Sequence, residues 1–317
     1  MRFQYVRFTK VQGHLVAARR RANRLGTSIV LALLFGAVLA TAHDQAVAGN
    51  QDPAVHCPDA VGIGEPLLCS IDLPEQADVV EVLWKERRLP VPIDREEDRT
   101  GAVVLLSVGL GERPGTETLR VEVTSGKERR IVERPIDIHS RDYPEQHLTL
   151  PPKMVSPSAD VMPRILREKK ESGKVLGTVT PKRFWSLPLV RPVPGTLLSP
   201  FGVKRFLNGE PRAPHKGIDL RGPEGTEVAA TAPGIVALTA DHYFAGRSVY
   251  IDHGQGVFSM YFHLSKFLVR EGDEVRQGQP IGLVGSSGRS TGPHLHFGLS
   301  VLGEAVNPVD LFSAQPF

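Results

Sequence analysis

At 317 residues the chain has room for about two domains. Its 41% apolar and 23% charged content excludes wholesale disorder, while 31 Gly and 26 Pro beside only 6% aromatics favour short strands and turns over long helices. The formal charge of +3 misleads about partners. Seven basic side chains and no acidic one fall in residues 1–42, leaving 31 Lys and Arg against 35 Asp and Glu, a balance of −4, so the body lacks a nucleic-acid footprint.

Those basic residues (Arg2, Arg7, Lys10, Arg19, Arg20, Arg21 and Arg24) precede an uncharged apolar run, Ile29 to Leu39, and small-residue sites at Ala40-Thr-Ala42 and Ala46-Val-Ala48. That order reads as an export signal over residues 1–48. The apolar run is short of the roughly 20 residues a span needs, so cleavage is the first reading and an uncleaved inner-membrane anchor the alternative. Both place the chain in the periplasm or cell envelope. An oxidising compartment suits the two cysteines, Cys57 and Cys69, which are expected to close a small disulfide loop. His56 beside them reads as a bystander, since two Cys and one His lack a fourth metal ligand.

Residues 49–140 read as a small β-sandwich, immunoglobulin-like in strand number and spacing. Val79 to Trp84, Ala102 to Val108, Thr118 to Thr124 and Arg130 to Ile138 are strand-like runs separated by turns at Glu112-Arg-Pro-Gly115 and Ser125-Gly126. No catalytic residue types gather there, which leaves a positioning, inhibitory or interaction role, including the binding of a regulatory protein partner. Residues 141–194 read as a proline-punctuated linker with one helix from Asp160, as N-cap, to Ser172, ending at Gly173. Arg167, Lys169 and Lys170 alternate with Glu168 and Glu171 as on a solvated helix face. The linker is long enough to let the sandwich cover a groove in the next domain.

Residues 195–317 are rich in glycine and strand patterns, and carry a weak internal duplication. Pro223-Glu-Gly-Thr-Glu-Val228 is echoed by Arg270-Glu-Gly-Asp-Glu-Val275, each followed by Ile-x-x-Leu or Ile-x-x-Val (Ile235 to Leu238, Ile281 to Val284). Such units build compact antiparallel folds, lipoyl and biotinyl carriers among them, but no hairpin-tip Lys is placed as a carrier needs. Six of the eleven histidines lie between His215 and His296. Pro214-His-Lys-Gly-Ile-Asp219 sets His215 four residues before Asp219, and Met260-Tyr-Phe-His-Leu-Ser265 carries His263 in a strand-like run. Pro293-His-Leu-His-Phe297 puts His294 and His296 two apart, on one face if the segment is a strand. Such a pair can hold a metal, or divide metal binding and proton transfer between them. The glycine-rich loop 285–292 lacks a phosphate-loop Lys and reads as a groove wall. His253 reads as a turn residue and His242 as exposed. Arg205, Asn208 and Arg289 are open between contacts to substrate carboxylates or amides and plain surface roles.

His-x-x-x-Asp, Tyr-x-His-Leu-Ser and Gly-Pro-His-Leu-His, in this order and together with Gly217-Ile-Asp219 and Ile251-Asp-His-Gly254, resemble the lysostaphin-type zinc metallopeptidases (the LytM domain) from about Phe201 to Pro308. The layout is similar to proteobacterial murein endopeptidases of that family. The resemblance implies a mainly β protein whose C-terminal domain is a compact antiparallel LytM-type peptidase. It also implies one catalytic zinc ion with His215, Asp219 and His296 as ligands, His294 as general base, and His263 as a second unligated histidine facing the scissile peptide. The implied partner is the peptide stem of peptidoglycan, and in a Gram-negative host the implied target is the D-alanyl–diaminopimelate crosslink. A non-enzymatic member that activates a cell-wall amidase is the alternative, and such members typically lose residues from these five positions.

Overall fold

Short alternating runs make strands throughout the computed structural model, which describes residues 52–149 and 157–314. Residues 1–48, read from the sequence as an export signal, lie outside the described residues. Among the described residues no helix is long and apolar enough to cross a membrane.

Two sheets form the N-terminal module. One runs Ala54–His56, Pro66–Asp72, Thr100–Ser107, Asp94–Arg95, and the other Ala60–Gly62, Glu128–His139, Gly115–Ser125, Val79–Trp84, Arg87–Val91. Their inner faces bury Leu67, Ile71, Leu106, Leu119 and Ile136 at under 2% exposure. Trp84 Nε1–H donates to Ser107 O at 2.9 Å, tying one sheet to the other. The expected disulfide joins Cys57 to Cys69, and its loop stabilises the module by roughly 3 kcal/mol in the chain-entropy account.

The C-terminal sheet carries the rest. We label its six principal strands β1 (Ile218–Arg221), β2 (Gly234–His242), β3 (Gly246–Asp252), β4 (Val257–Phe267), β5 (Pro280–Val284) and β6 (His294–Val301). The antiparallel order is Leu197–Ser199, β1, β6, β4, β3, β2, Glu274–Val275. The duplicated segments each make a glycine turn, at Gly225 (φ 84°) and Gly272 (φ 86°), and then exchange partners: Glu227–Ala229 pairs with β5, and Glu274–Val275 with β2.

The two modules share a core. Val257, Leu299, Val301, Val306 and Leu311 pack in one cluster with the sandwich residues. These positions lie toward the C-terminal end of β6, at least five residues from His294, or about 17 Å along a strand. The intervening segment is built in as well. Glu145–Leu148 adds a parallel strand beside Lys204–Leu207, and Trp185, Leu187, Leu189 and Val193 are buried.

Helix α1 (Met162–Leu176) differs from expectation at both ends. Its N-cap is Val161 without a side-chain cap, although Pro163 does sit in the first turn, and it continues through Gly173 to Leu176. An interior glycine costs a helix about 1 kcal/mol. Packing outweighs that cost, because Val175 and Leu176 rest on Leu238, Tyr250 and Met260. The helix also docks by polar contacts: Arg164 Nη2 donates to Asp241 O at 2.8 Å and Tyr243 N–H to Glu168 Oε2 at 2.8 Å. His242 is therefore buried (7% exposed), not exposed as read from sequence, with its Nε2 3.0 Å from Glu171 Oε2.

His253 anchors the opposite side of the sheet. It is buried, with Nδ1 2.7 Å from Pro233 O and Nε2 2.7 Å from Ser259 Oγ, which meets Tyr261 OH at 2.9 Å. Burial pushes its pKa down to about 4. The unfolded chain therefore takes up a proton between about pH 6.5 and 4 that the folded chain refuses. By linkage this contribution is fully present above pH 6.5 and lost as pH falls through 4, an amount of about 3 kcal/mol. Urea unfolding at pH 7 and pH 4 should show a smaller acid-induced loss in His253→Gln than in the unaltered chain. Equal losses would remove His253 as the cause.

Candidate metal centre

Strand register assembles the site. β6 lies between β1 and β4, with Asp219 directly across from His296 on one side and Phe262 across on the other. Along β6, Leu295 and Phe297 are wholly buried in the core, while His294 and His296 are half-buried on the opposite face. The two-residue period therefore delivers both imidazoles to one spot. Phe262 stacks flat on His296, with centroids 5.1 Å apart and planes 9° off parallel.

His215 arrives from the loop before β1, held by hydrogen bonds from Gly202 N–H to His215 O (2.8 Å) and from His215 N–H to Val203 O (3.0 Å). Gly217 permits this close approach. A Cβ there would stand 2.5 Å from Phe297 O and 2.6 Å from His296 Nε2. His263 lies at a bulge in the β3–β4 pairing and adopts φ 64°, a left-handed conformation costing about 1–2 kcal/mol. The kink turns its ring toward His294, with centroids 4.9 Å apart.

Three ligand-type atoms meet at the centre. His215 Nε2 is 3.1 Å from Asp219 Oδ1 and 3.0 Å from His296 Nδ1, and His296 Nδ1 is 2.9 Å from Asp219 Oδ1. The tautomers are set from outside. His215 Nδ1 is 2.8 Å from Pro200 O, His294 Nδ1 is 2.8 Å from Gly292 O, and His263 Nδ1 is 2.8 Å from Ser287 O. Each carbonyl accepts a proton from Nδ1, so in the neutral rings Nε2 is a bare acceptor. His294 Nε2 lies 3.8 Å from Asp219 Oδ1, just outside the inner trio.

Electrostatics reinforce the arrangement. Burial alone would raise the Asp219 carboxyl, but the imidazoles of His215 and His296 set against it outweigh burial and hold it well below the usual carboxylate range. Burial pushes His296 down, and it pushes His263 down to about 4 with the nearby His296 and His294 adding to the effect. A cation fits this donor set. With His215 Nδ1 committed to Pro200, an unprotonated Nε2 faces a carboxylate oxygen at 3.1 Å, two acceptors that a positive ion between them would satisfy. Among the described residues this trio is the group that could hold a metal.

The centre opens into a cleft of about 440 Å³, walled by Arg289, Ser290 and Thr291 of the glycine-rich loop and by Arg205, Arg212 and Gln146. No residue of 52–140 lines it, so the sandwich does not cover this groove. Asn208 sits instead at a hairpin tip with φ 52°. Sequence reading missed Arg212 and the Phe262 stack. The signal for Arg212 was present: Asn208-Gly209 is a two-residue hairpin turn, which lays Arg212 beside Arg205, their backbones joined by a 2.8 Å bond from Arg212 N to Arg205 O.

Fold and site together define a compact antiparallel β peptidase domain with a His/Asp/His group that could hold a metal ion. Residues 213–308 match the model of peptidase family M23. The solved structure of a peptidase M23 from Pseudomonas aeruginosa is 31% identical, covering 78% of this chain and 94% of that one with a TM-score of 0.59. The chain belongs to peptidase family M23. Over 95 residues it is 50% identical to the peptidoglycan DD-endopeptidase ShyA of Vibrio cholerae (30% of this chain, 22% of that protein). Over 118 residues it is 43% identical to the DD-carboxypeptidase/endopeptidase Mpg of Neisseria meningitidis (37% and 27%). The chain thus spans about a quarter of the length of these relatives.

Proposed function

We propose that the protein is an exported zinc metalloendopeptidase that hydrolyses peptide crosslinks of peptidoglycan, with the D-alanyl–diaminopimelate bond as target. The observation carrying this reading is the convergence of His215, Asp219 and His296 at 2.9–3.1 Å beside two further imidazoles with bare Nε2 atoms. The names of ShyA and Mpg support the substrate class, and the Cys57–Cys69 disulfide supports an oxidising compartment.

His215, Asp219 and His296 would hold zinc, three protein ligands leaving a position open. When bound, zinc polarises the scissile carbonyl and lowers the pKa of a water toward neutrality. His294 accepts a proton at Nε2 while its Nδ1–H stays on Gly292 O, and the same atom can return that proton to the departing amine. His263, kept neutral near pH 7 by burial, holds a second acceptor at the mouth of the cleft. Phe262 and the packed strands fix the ring of His296 and keep water from its far side. All five positions being filled weighs against the amidase-activator reading.

The test is digestion of purified sacculi with the full chain, resolving released muropeptides by mass. Loss of crosslinked dimers should be abolished by chelator and restored by zinc. Unchanged dimers with a folded, zinc-loaded protein would reject the reading.

A further inference from the structure

Three arginines surround the mouth of the metal centre, and the established features of the site use none of them. Arg205 and Arg212 stand side by side on the hairpin arm, and Arg289 projects from the opposing glycine-rich loop. Asp219 is the sole carboxylate lining the cleft among the described residues, and only Arg205 reaches it, at 3.5 Å. Arg212 and Arg289 make no ion pair among the described residues, and Arg205 Nε is buried without a hydrogen-bond partner.

These side chains are mounted for use. Arg289 lies over the Phe244 ring, 4.3 Å from its centroid, and its backbone N–H donates to Phe244 O at 3.0 Å. The loop beneath it cannot drift, because Gly288 passes so close that a Cβ would stand 2.3 Å from Gly246 N. Partial burial, then the like charges of Arg205 and Arg212, lower the pKa of Arg289. Three cations held near one another at a cleft wall are mutually unfavourable until an anion enters. Guanidinium groups match the planar geometry of a carboxylate.

We infer that Arg205, Arg212 and Arg289 form a carboxylate-binding subsite that engages the free carboxylate on the carbon bearing the scissile amide nitrogen. That carboxylate is two bonds from the reacting nitrogen, so a substrate seated at the metal centre carries it to within a few ångströms of the guanidinium beside Asp219. The inference rests on the proposed hydrolysis of crosslinked stems and names the feature of the stem that is read. A neutral peptide would leave three cations facing a desolvated amide, which is a basis for discrimination.

Three crosslinked muropeptide dimers test it: one with both carboxylates free, one amidated at the carbon bearing the scissile nitrogen, and one amidated only at the stem C-terminus. The full zinc-loaded chain should cleave the free acid with kcat/KM roughly 10- to 100-fold above the first amide, mostly through KM, and should treat the C-terminal amide like the free acid. In Arg212→Gln/Arg289→Gln the acid-to-amide ratio should fall toward one with metal content unchanged, whereas a merely structural role would lower all three rates together. Arg205 is left intact in that variant because it touches a metal-ligating residue. Calorimetric binding of the same dimers to zinc-loaded His294→Ala reads the discrimination without turnover. An absence of hydrolysis with intact acid preference in binding would therefore reject the hydrolase reading and keep the subsite. Equal affinity for acid and amide, preference surviving in the double variant, or a loss confined to the C-terminal amide would overturn the subsite.

Discussion

Replacing His294 with Ala is expected to lower kcat/KM on crosslinked muropeptides by about 10²- to 10⁴-fold while one metal ion per chain stays bound. The argument is geometric. His294 Nε2 is 3.8 Å from Asp219 Oδ1, whereas the inner trio closes to 2.9–3.1 Å, so His294 flanks the ligand set without completing it. Its Nδ1 is held by Gly292 O at 2.8 Å with Ser290 Oγ at 3.3 Å, which leaves the other nitrogen facing the inner trio. Truncation leaves Gly292 O and Ser290 Oγ to water, which the cleft beside the ring can supply. Steady-state kinetics and metal content measured on the same preparation decide it. Activity within tenfold of the unaltered chain, or loss of the metal, would remove His294 from the role of base.

Much of this site was legible because its signals are local. The spacing of His294 and His296 converts directly into one face of β6, and the intervening Leu295 and Phe297, buried in the core, are the other half of the same period. Cys57 and Cys69 were legible for the same reason: the chain's two cysteines, only twelve residues apart, have each other as partners. Other features depend on distant register. Asp219 and His296 are 77 positions apart, and nothing in either segment announces that β1 and β6 are neighbours with these two residues opposed. Resemblance to a family supplied that pairing, and sheet geometry gives its cause. His242 was misread because its exposure is set by α1, more than 60 residues upstream, whose own length depends on the sheet it covers. The left-handed bulge at His263 left no mark either, since a non-glycine residue at φ 64° is dictated by how β3, β4 and the 285–292 loop meet.

Replacing His215 with Ala is expected to weaken metal binding by more than about 100-fold, the upper range for losing an outer-shell partner of a ligand, and to bring peptidase activity to background. His215 is the most enclosed of the three, with its side chain 2% exposed, and the loop that carries it is pinned at Gly202 and Val203, so no other side chain can swing in to replace it. Its removal also leaves Pro200 O without the imidazole proton it accepts and takes away one of the two imidazoles set against Asp219. A bound ion stabilises the fold by mass action, about 2.7 kcal/mol at a free concentration one hundred times Kd. Zinc should therefore raise the thermal midpoint of the unaltered chain and of His294→Ala but leave His215→Ala unmoved, with calorimetric titration giving the affinities. One equivalent of zinc bound by His215→Ala at unaltered affinity would contradict the ligand assignment. The contrast between the two variants is the sharper result. Both remove an imidazole within 5 Å of the same carboxylate, so a site acting through charge alone would respond to them alike, whereas a division between holding the ion and moving the proton separates metal retention from turnover.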